Sequence, residues 1–449
     1  MYPHLLSLSF LFFWLSPLFL LSPSSSLVSA SSTPTQQQQL QQQHHQRQQE
    51  QKILYASHYT GYIYTLTLTL DSNTNTNSHS HSLTDSPSSA SLRLTSSLRT
   101  CGALPSWLTF DAVSRTLFCS DEAFEHGANG SLTALAAASD GSLVELVRTE
   151  TRAGGVASVL YEGDDGGRKK YIAIAHYQGS ALSTFALPLT PNASALQTFE
   201  YTLPQPGPIP SRQDAPHPHA VFLDPTGEFV LSPDLGADVV RVYAIDKTSG
   251  MLRECDALAV KPGDGPRHGV FWTSTTTQSQ SENQASPLLY IVNELANTVT
   301  AYAVSYSSSC LSFEPVQVVT PYPTGTAIPR TANVGEIRLQ GGNVYVSIRN
   351  DEAFPPSSDS MATLTVSNET GGLLAFRDLT PSYGKTPRTF VINKAGDLVA
   401  IGDQVSSNVA IVRRDPKTGK LGALLAILQV GSPGTVGEST GLSSVVWDE

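Results

Sequence analysis

The sequence predicts an all-β chain folded as a seven-bladed β-propeller, its ring closed by pairing N- and C-terminal strands in one blade. Three observations predict it. A motif recurs in which proline opens a short apolar strand, a second strand ends on a polar residue at near-constant spacing, and the two chain ends carry strands that lack partners.

The motif stands at Pro218-His219-Ala220-Val221-Phe222-Leu223-Asp224, Pro266-Arg267-His268-Gly269-Val270-Phe271-Trp272 and Pro387-Arg388-Thr389-Phe390-Val391-Ile392-Asn393, with a fainter copy at Pro105-Ser106-Trp107-Leu108-Thr109-Phe110-Asp111. Proline is tolerated where a strand begins because no ladder donor is needed there. Turns such as Asp224-Pro225-Thr226-Gly227 and Lys394-Ala395-Gly396-Asp397 follow, built from residues that bond their own backbone or accept positive φ. A second β-rich strand then ends at His58, Asp121, His176, Asp234, Glu294, Arg349 or Asp403. Asp121 follows His58 by 63 residues and Asp403 follows Arg349 by 54; seven such repeats make seven blades. A third strand follows at 238–243, 298–304 and 407–412.

Residues 442–447 read as a first strand with no second strand after it, and residues 53–70 have the opposite deficit. Joining them closes the ring and removes exposed sheet edges. The propeller is therefore expected over residues 52–449. Ahead of it, residues 5–21 form an apolar run broken by Pro17 and followed by Val28-Ser29-Ala30. That pattern predicts a signal peptide over residues 1–30, hence a secreted, extracellular protein with no membrane segment after cleavage. Residues 31–51 are Gln-rich and are expected to form a disordered spacer. The polar insertions at 73–89 and 275–286 read as mobile loops.

The four cysteines, Cys101, Cys119, Cys255 and Cys310, allow three pairings in an oxidising compartment. Cys101 with Cys119 and Cys255 with Cys310 is preferred, since each pair lies within one repeat or adjacent repeats. Asn129-Gly130-Ser131, Asn192-Ala193-Ser194 and Asn368-Glu369-Thr370 are glycosylation sequons. A net charge of −11 argues against a nucleic-acid partner, which needs clustered Lys and Arg.

Equivalent positions of a propeller form rings around its channel. The second-strand ends place His58, Asp121, His176, Asp234, Glu294, Arg349 and Asp403 at one expected register, and the strand starts add His219, Arg267 and Arg388, with His217 and His268 beside them. Guanidinium groups match two oxygens of a carboxylate or phosphate, so the expected partner is a small anionic organic acid or its lactone. Glu294 among these cations is expected to stay ionised unless burial outweighs them, and His219 to exchange a proton near neutral pH. His217-Pro218-His219 supplies at most two metal ligands, so no metal is expected. Neither a Walker motif, a Gly-x-Gly-x-x-Gly after a strand nor a Gly-x-Ser-x-Gly elbow occurs, and no cofactor is called for.

Three groups of residues resemble the lactonase-type seven-bladed propellers, which include bacterial 6-phosphogluconolactonase and fungal carboxy-cis,cis-muconate cyclase. They are His217-Pro218-His219 with Asp224-Pro225, Gly265-Pro266-Arg267-His268 with Val292-Asn293-Glu294-Leu295, and Pro387-Arg388 with Asp403-Gln404. The resemblance runs from about residue 52 to the C-terminus. It implies a lactone hydrolase or a muconate-type cycloisomerase, with catalytic His219, Arg267, Glu294 and Arg349. The substrate-binding ring would add His217, His268, Arg388, Asp234, Asp403, His176 and His58. Asp351 and Glu352 offer Arg349 a local salt bridge as an alternative, structural role. The other functional class open to this fold is a non-catalytic secreted propeller that binds a carboxylated ligand or a protein. The sequence leaves the oligomeric state undetermined.

Overall fold

Each repeat folds into one antiparallel sheet, and seven sheets result. The computed structural model describes residues 49–71, 90–123, 129–164, 166, 169–274, 286–307 and 309–449. The expected signal peptide, residues 31–48 of the expected spacer and nearly all of the two insertions lie outside these residues. The first strand, Gln49–His58, starts three residues before the expected boundary, so Gln49, Glu50 and Gln51 belong to a blade and not to a spacer. They pair with Asp71, Leu70 and Thr69, and a backbone ladder needs no apolar side chains to form.

Blade two runs Pro105–Asp111, Thr116–Asp121, Gly130–Ala137 and Leu143–Thr151. Blades three to seven repeat this order, with inner strands at Gly155–Glu162, Phe222–Leu223, Pro266–Trp272, Asn333–Gln340 and Pro387–Ile392. Blade one is composite. Leu442–Trp447 is its inner strand and pairs antiparallel with Gln49–His58, Leu54 opposite Trp447. The expected ring closure and seven blades are both observed. Inner strands pack on their neighbours around the ring, with Phe222 against Phe271 between blades four and five.

Turn chemistry fixes the first hairpin of each blade. Asp224 accepts hydrogen bonds from the Thr226 and Phe229 amides at 2.9 and 2.8 Å, and Gly227 takes φ +70°, which an L side chain adopts only with strain. After the second strand, a four-residue turn recurs whose last residue is left-handed: Ser180, Asp238, Asn297 and Ser407. Between blades the sheets pack face to face. The seam between blades one and seven buries Leu54, Ala56, Leu66, Leu398, Ala400, Ile411, Leu442 and Trp447. Disulfides join Cys101 to Cys119 and Cys255 to Cys310, the preferred pairing.

Candidate active site at the channel mouth

The pairing register decides which side chains reach the channel. Pro105 pairs with Asp121, Pro266 with Asn293 and Pro387 with Asp403, so Asn293, not Glu294, is the register equivalent of the aspartates. The expected single ring therefore splits. Most strand-end residues turn away from the mouth and bind their own blade. Asp121 accepts from the Leu104 amide at 2.7 Å, and Asp234 from the His217 amide at 2.6 Å and Arg241 at 2.7 Å. Asp403 accepts from Asn408 at 2.9 Å. His58 bonds the Ser432 carbonyl at 2.9 Å and His176 the Ser183 hydroxyl at 2.7 Å. All five are buried, and none lines the mouth cavity. His58, His176, Asp234 and Asp403, expected to bind a ligand, are thus engaged with neighbouring backbone and side chains away from the mouth.

The ring that faces the mouth is the next residue along. Tyr59, Glu122, Tyr177, Glu294 and Gln404 occupy equivalent positions, each amide donating to a carbonyl before the inner strand, as Glu122 does to Leu104 at 2.9 Å and Glu294 to Gly265 at 2.8 Å. All five line a cavity of about 350 Å³. A second ring comes from the inner strands. Each register shift leaves an extra residue, such as Arg267 between Pro266 and His268, or Arg388 between Pro387 and Thr389. Such bulges re-aim a side chain at the rim of a sheet. His219 and Arg388 thereby line the cavity.

Glu294 is the centre of the charge arrangement. Its Oε1 lies 2.7 Å from Arg212 Nη2, and its Oε2 lies 2.8 Å from Arg267 Nε and 2.9 Å from Arg349 Nη2. The carboxylate is 2% exposed. Burial alone would raise its pKa, but Arg349, Arg212 and Arg267 outweigh that and hold it well below the usual carboxylate range. Arg267 sits behind Glu294, buried and outside the cavity lining. Burial and then Arg349 pull its pKa down to about 9, which leaves it cationic at neutral pH. Arg349 binds Glu294 instead of the local acids; its Nη2 also donates to the Val334 carbonyl at 3.2 Å, and its buried Nε has no partner among the described residues.

His219 carries a buried Nδ1 without a hydrogen-bond partner. Burial, then Arg267, Arg388 and Arg349, push its pKa well below the usual imidazole value. It stays neutral where proton exchange near neutrality was expected. His268 lies outside the cavity lining, stacked on Trp107 and 3.4 Å from Glu336. His217 is also set back: it stacks on Tyr177 with ring centres 4.2 Å apart and bonds Asp214 at 3.0 Å, so it fixes the tyrosine that faces the mouth. Across from Glu294, Arg388 donates to Ser106 at 3.1 Å and lies 3.7 Å from Glu122. Residues 436–439, between the last two strands, complete the wall with Glu438. In the cavity lining three guanidinium groups, Arg212, Arg349 and Arg388, face three carboxylates, Glu122, Glu294 and Glu438, and the buried Arg267 behind them adds a fourth positive charge.

The sequence reading did not single out Arg212, Glu122, Tyr59 or Tyr177, and Gln404 entered only as the residue after Asp403 in a motif. Aligning Asn293 with the aspartates would have exposed Glu122 as the partner position of Glu294, whereas Arg212 lies on a connection between blades with no repeat signal. Among the described residues, no cluster of three or more His, Cys, Asp and Glu side chains could hold a metal.

The family described as Lactonase, 7-bladed beta-propeller matches residues 53–437. The chain belongs to that family. A relative from Arthroderma benhamiae named "Probable 6-phosphogluconolactonase" is 30% identical over 325 residues, 72% of this chain and 76% of its own. The 6-phosphogluconolactonase of Bacillus subtilis is 28% identical over 222 residues, 49% of this chain and 57% of its own. Among solved structures, the periplasmic gluconolactonase of Pseudomonas aeruginosa superposes with a TM-score of 0.64 at 23% identity, over 89% of this chain and 99% of that one. That last likeness is one of fold. Membership of the lactonase family supports an enzyme over a propeller that only binds.

Proposed function

We propose that this lactonase-family propeller hydrolyses the lactone of an anionic sugar acid at the channel mouth, a phosphorylated aldonolactone being the preferred substrate class. The observation that carries this reading is the Glu294 cluster, where one buried carboxylate holds three guanidinium groups in place at the wall of a cavity. Opening a lactone places negative charge on the carbonyl oxygen, and donors fixed in advance stabilise that charge most effectively. Arg349 keeps its Nε uncommitted, and Arg212 is 36% exposed at the rim. Arg349 is the donor for the developing oxyanion, while Arg212 and Arg388 take the anionic substituent of the sugar. The neutral His219 offers its free Nδ1 to a substrate hydroxyl. Arg267 positions Glu294 from behind.

Hydrolysis is favoured over muconate-type cyclisation because several relatives are named as 6-phosphogluconolactonases. Export is part of the proposal, motivated by the apolar run at residues 5–21 and by both cysteine pairs being bridged. No helix among the described residues is long and apolar enough to cross a membrane. The test is proton release in a pH-stat across phosphorylated and plain aldonolactones and muconolactones. Turnover above the spontaneous rate, fastest for a phosphorylated member, is expected; a muconolactone turned over in preference to every sugar lactone contradicts the substrate assignment. Appearance of the chain only in the cytoplasmic fraction contradicts export.

A further inference from the structure

Three carboxylates line the mouth: Glu294 among its arginines, the exposed Glu438 on the segment 436–439, and the buried Glu122. Glu122 occupies in blade two the position Glu294 occupies in blade five, but its surroundings are of another kind. Tyr59 and Ser106 donate to its Oε2 at 2.7 and 2.9 Å. Gln178 donates to Oε1 at a longer 3.3 Å, and Arg388 stands off at 3.7 Å. A carboxylate has about four acceptor positions on its two oxygens, so Oε1 retains one beside the cavity. Glu294, by contrast, is ringed by charge: Arg212 donates to its Oε1 at 2.7 Å, and Arg267 and Arg349 stand 2.8 and 2.9 Å from its Oε2 without hydrogen-bond alignment.

A general base must hold its proton through the step. The three guanidinium groups around Glu294 oppose any proton arriving there, and those near His219 oppose it likewise. Glu122 is held mainly by hydroxyl and amide donors, with a single guanidinium, Arg388, near it at 3.7 Å. Building on the lactonase reading, we infer that Glu122 is the general base that activates the attacking water, while Glu294 organises the arginines.

The step balances as follows. Water oxygen bonds to the lactone carbonyl carbon and gives one proton to Glu122 Oε1. The carbonyl electron pair moves to oxygen beside Arg349. Collapse breaks the bond from the carbonyl carbon to the ring oxygen, which takes the proton back from Glu122. The hydroxy acid then ionises and releases one proton to solvent.

The experiment compares wild type with Glu122→Gln and Glu122→Ala on the best lactone of the panel, with thermal melting on each. The expected result for Glu122→Gln is at least a hundredfold loss of kcat, KM within about threefold, and an unchanged melting temperature. In Glu122→Ala, added formate is expected to restore at least tenfold of the lost rate, a response that a merely structural carboxylate would not give. Glu122→Gln retaining kcat within threefold, or Glu122→Ala losing activity that formate does not restore, overturns the assignment while the lactonase reading stands. A wild-type protein inactive on every lactone overturns both.

Discussion

Glu294 Oε2 lies 2.9 Å from Arg349 Nη2, a contact that joins blade five to blade six across the channel mouth. Arg267 reaches the same oxygen at 2.8 Å from behind. Removing the charge as Glu294→Gln leaves buried guanidinium groups uncompensated, at a cost of about 3 to 5 kcal/mol. Urea unfolding is expected to show that loss, together with loss of lactone turnover. Unchanged stability would mean that the cluster does not hold the mouth together.

Arg212 comes from the connection between blades three and four, and its side chain is 36% exposed. Arg212→Ala is expected to raise KM for an anionic lactone about tenfold or more with a smaller change in kcat, and to leave an uncharged lactone nearly unaffected. Because an exposed charge is screened by salt, wild-type KM should also rise between low and high ionic strength, and less so in the variant.

His176 is buried and its pKa is lowered to about 4, chiefly by desolvation; His219 and His268 are lowered well below the usual imidazole value for the same first reason. The folded state thus resists protons that the unfolded chain accepts below about pH 6.5. Stability is unaffected by these groups above that pH and is lost as pH falls from there toward 4, by up to about 1.4 kcal/mol per unit for each histidine. Melting curves across that window should show the decline. His176→Gln, which keeps a polar partner for Ser183, should make the slope shallower.

Cys101 is fully buried in its bridge to Cys119, which closes a separation of 18 residues, whereas Cys255 and Cys310 are partly exposed and close 55. A mild reductant is expected to open Cys255–Cys310 first, visible by mass tagging of thiols. Cys255→Ser with Cys310→Ser should lower stability by about 4 kcal/mol, and the pair Cys101→Ser with Cys119→Ser by about 3 kcal/mol.

The sequence made the ring legible because its signals are local. Proline at strand starts, turn residues at hairpins and an incomplete strand set at each end all survive in a single chain. The site was legible only in part. Arg267, Glu294 and Arg349 do converge, and His219 lies in the same wall. The remaining error came from register. One extra residue at each inner-strand bulge, and one step past each second-strand end, decide whether a side chain faces the channel or its own blade. A period of two makes that step a change of face, which is why His58, His176, Asp234 and Asp403 engage neighbouring backbone and side chains while Tyr59, Tyr177 and Gln404 face the cavity. Arg212 was invisible for a different reason: its partner Glu294 lies 82 residues away in sequence.

The most direct test of the mouth as a lactone site is the initial rate on a phosphorylated aldonolactone for wild type and Arg349→Ala, each corrected for spontaneous opening. Wild-type catalysis with at least a hundredfold loss in the variant is the predicted result. Equal rates for the two proteins, or a wild-type rate no faster than the spontaneous one, would contradict it.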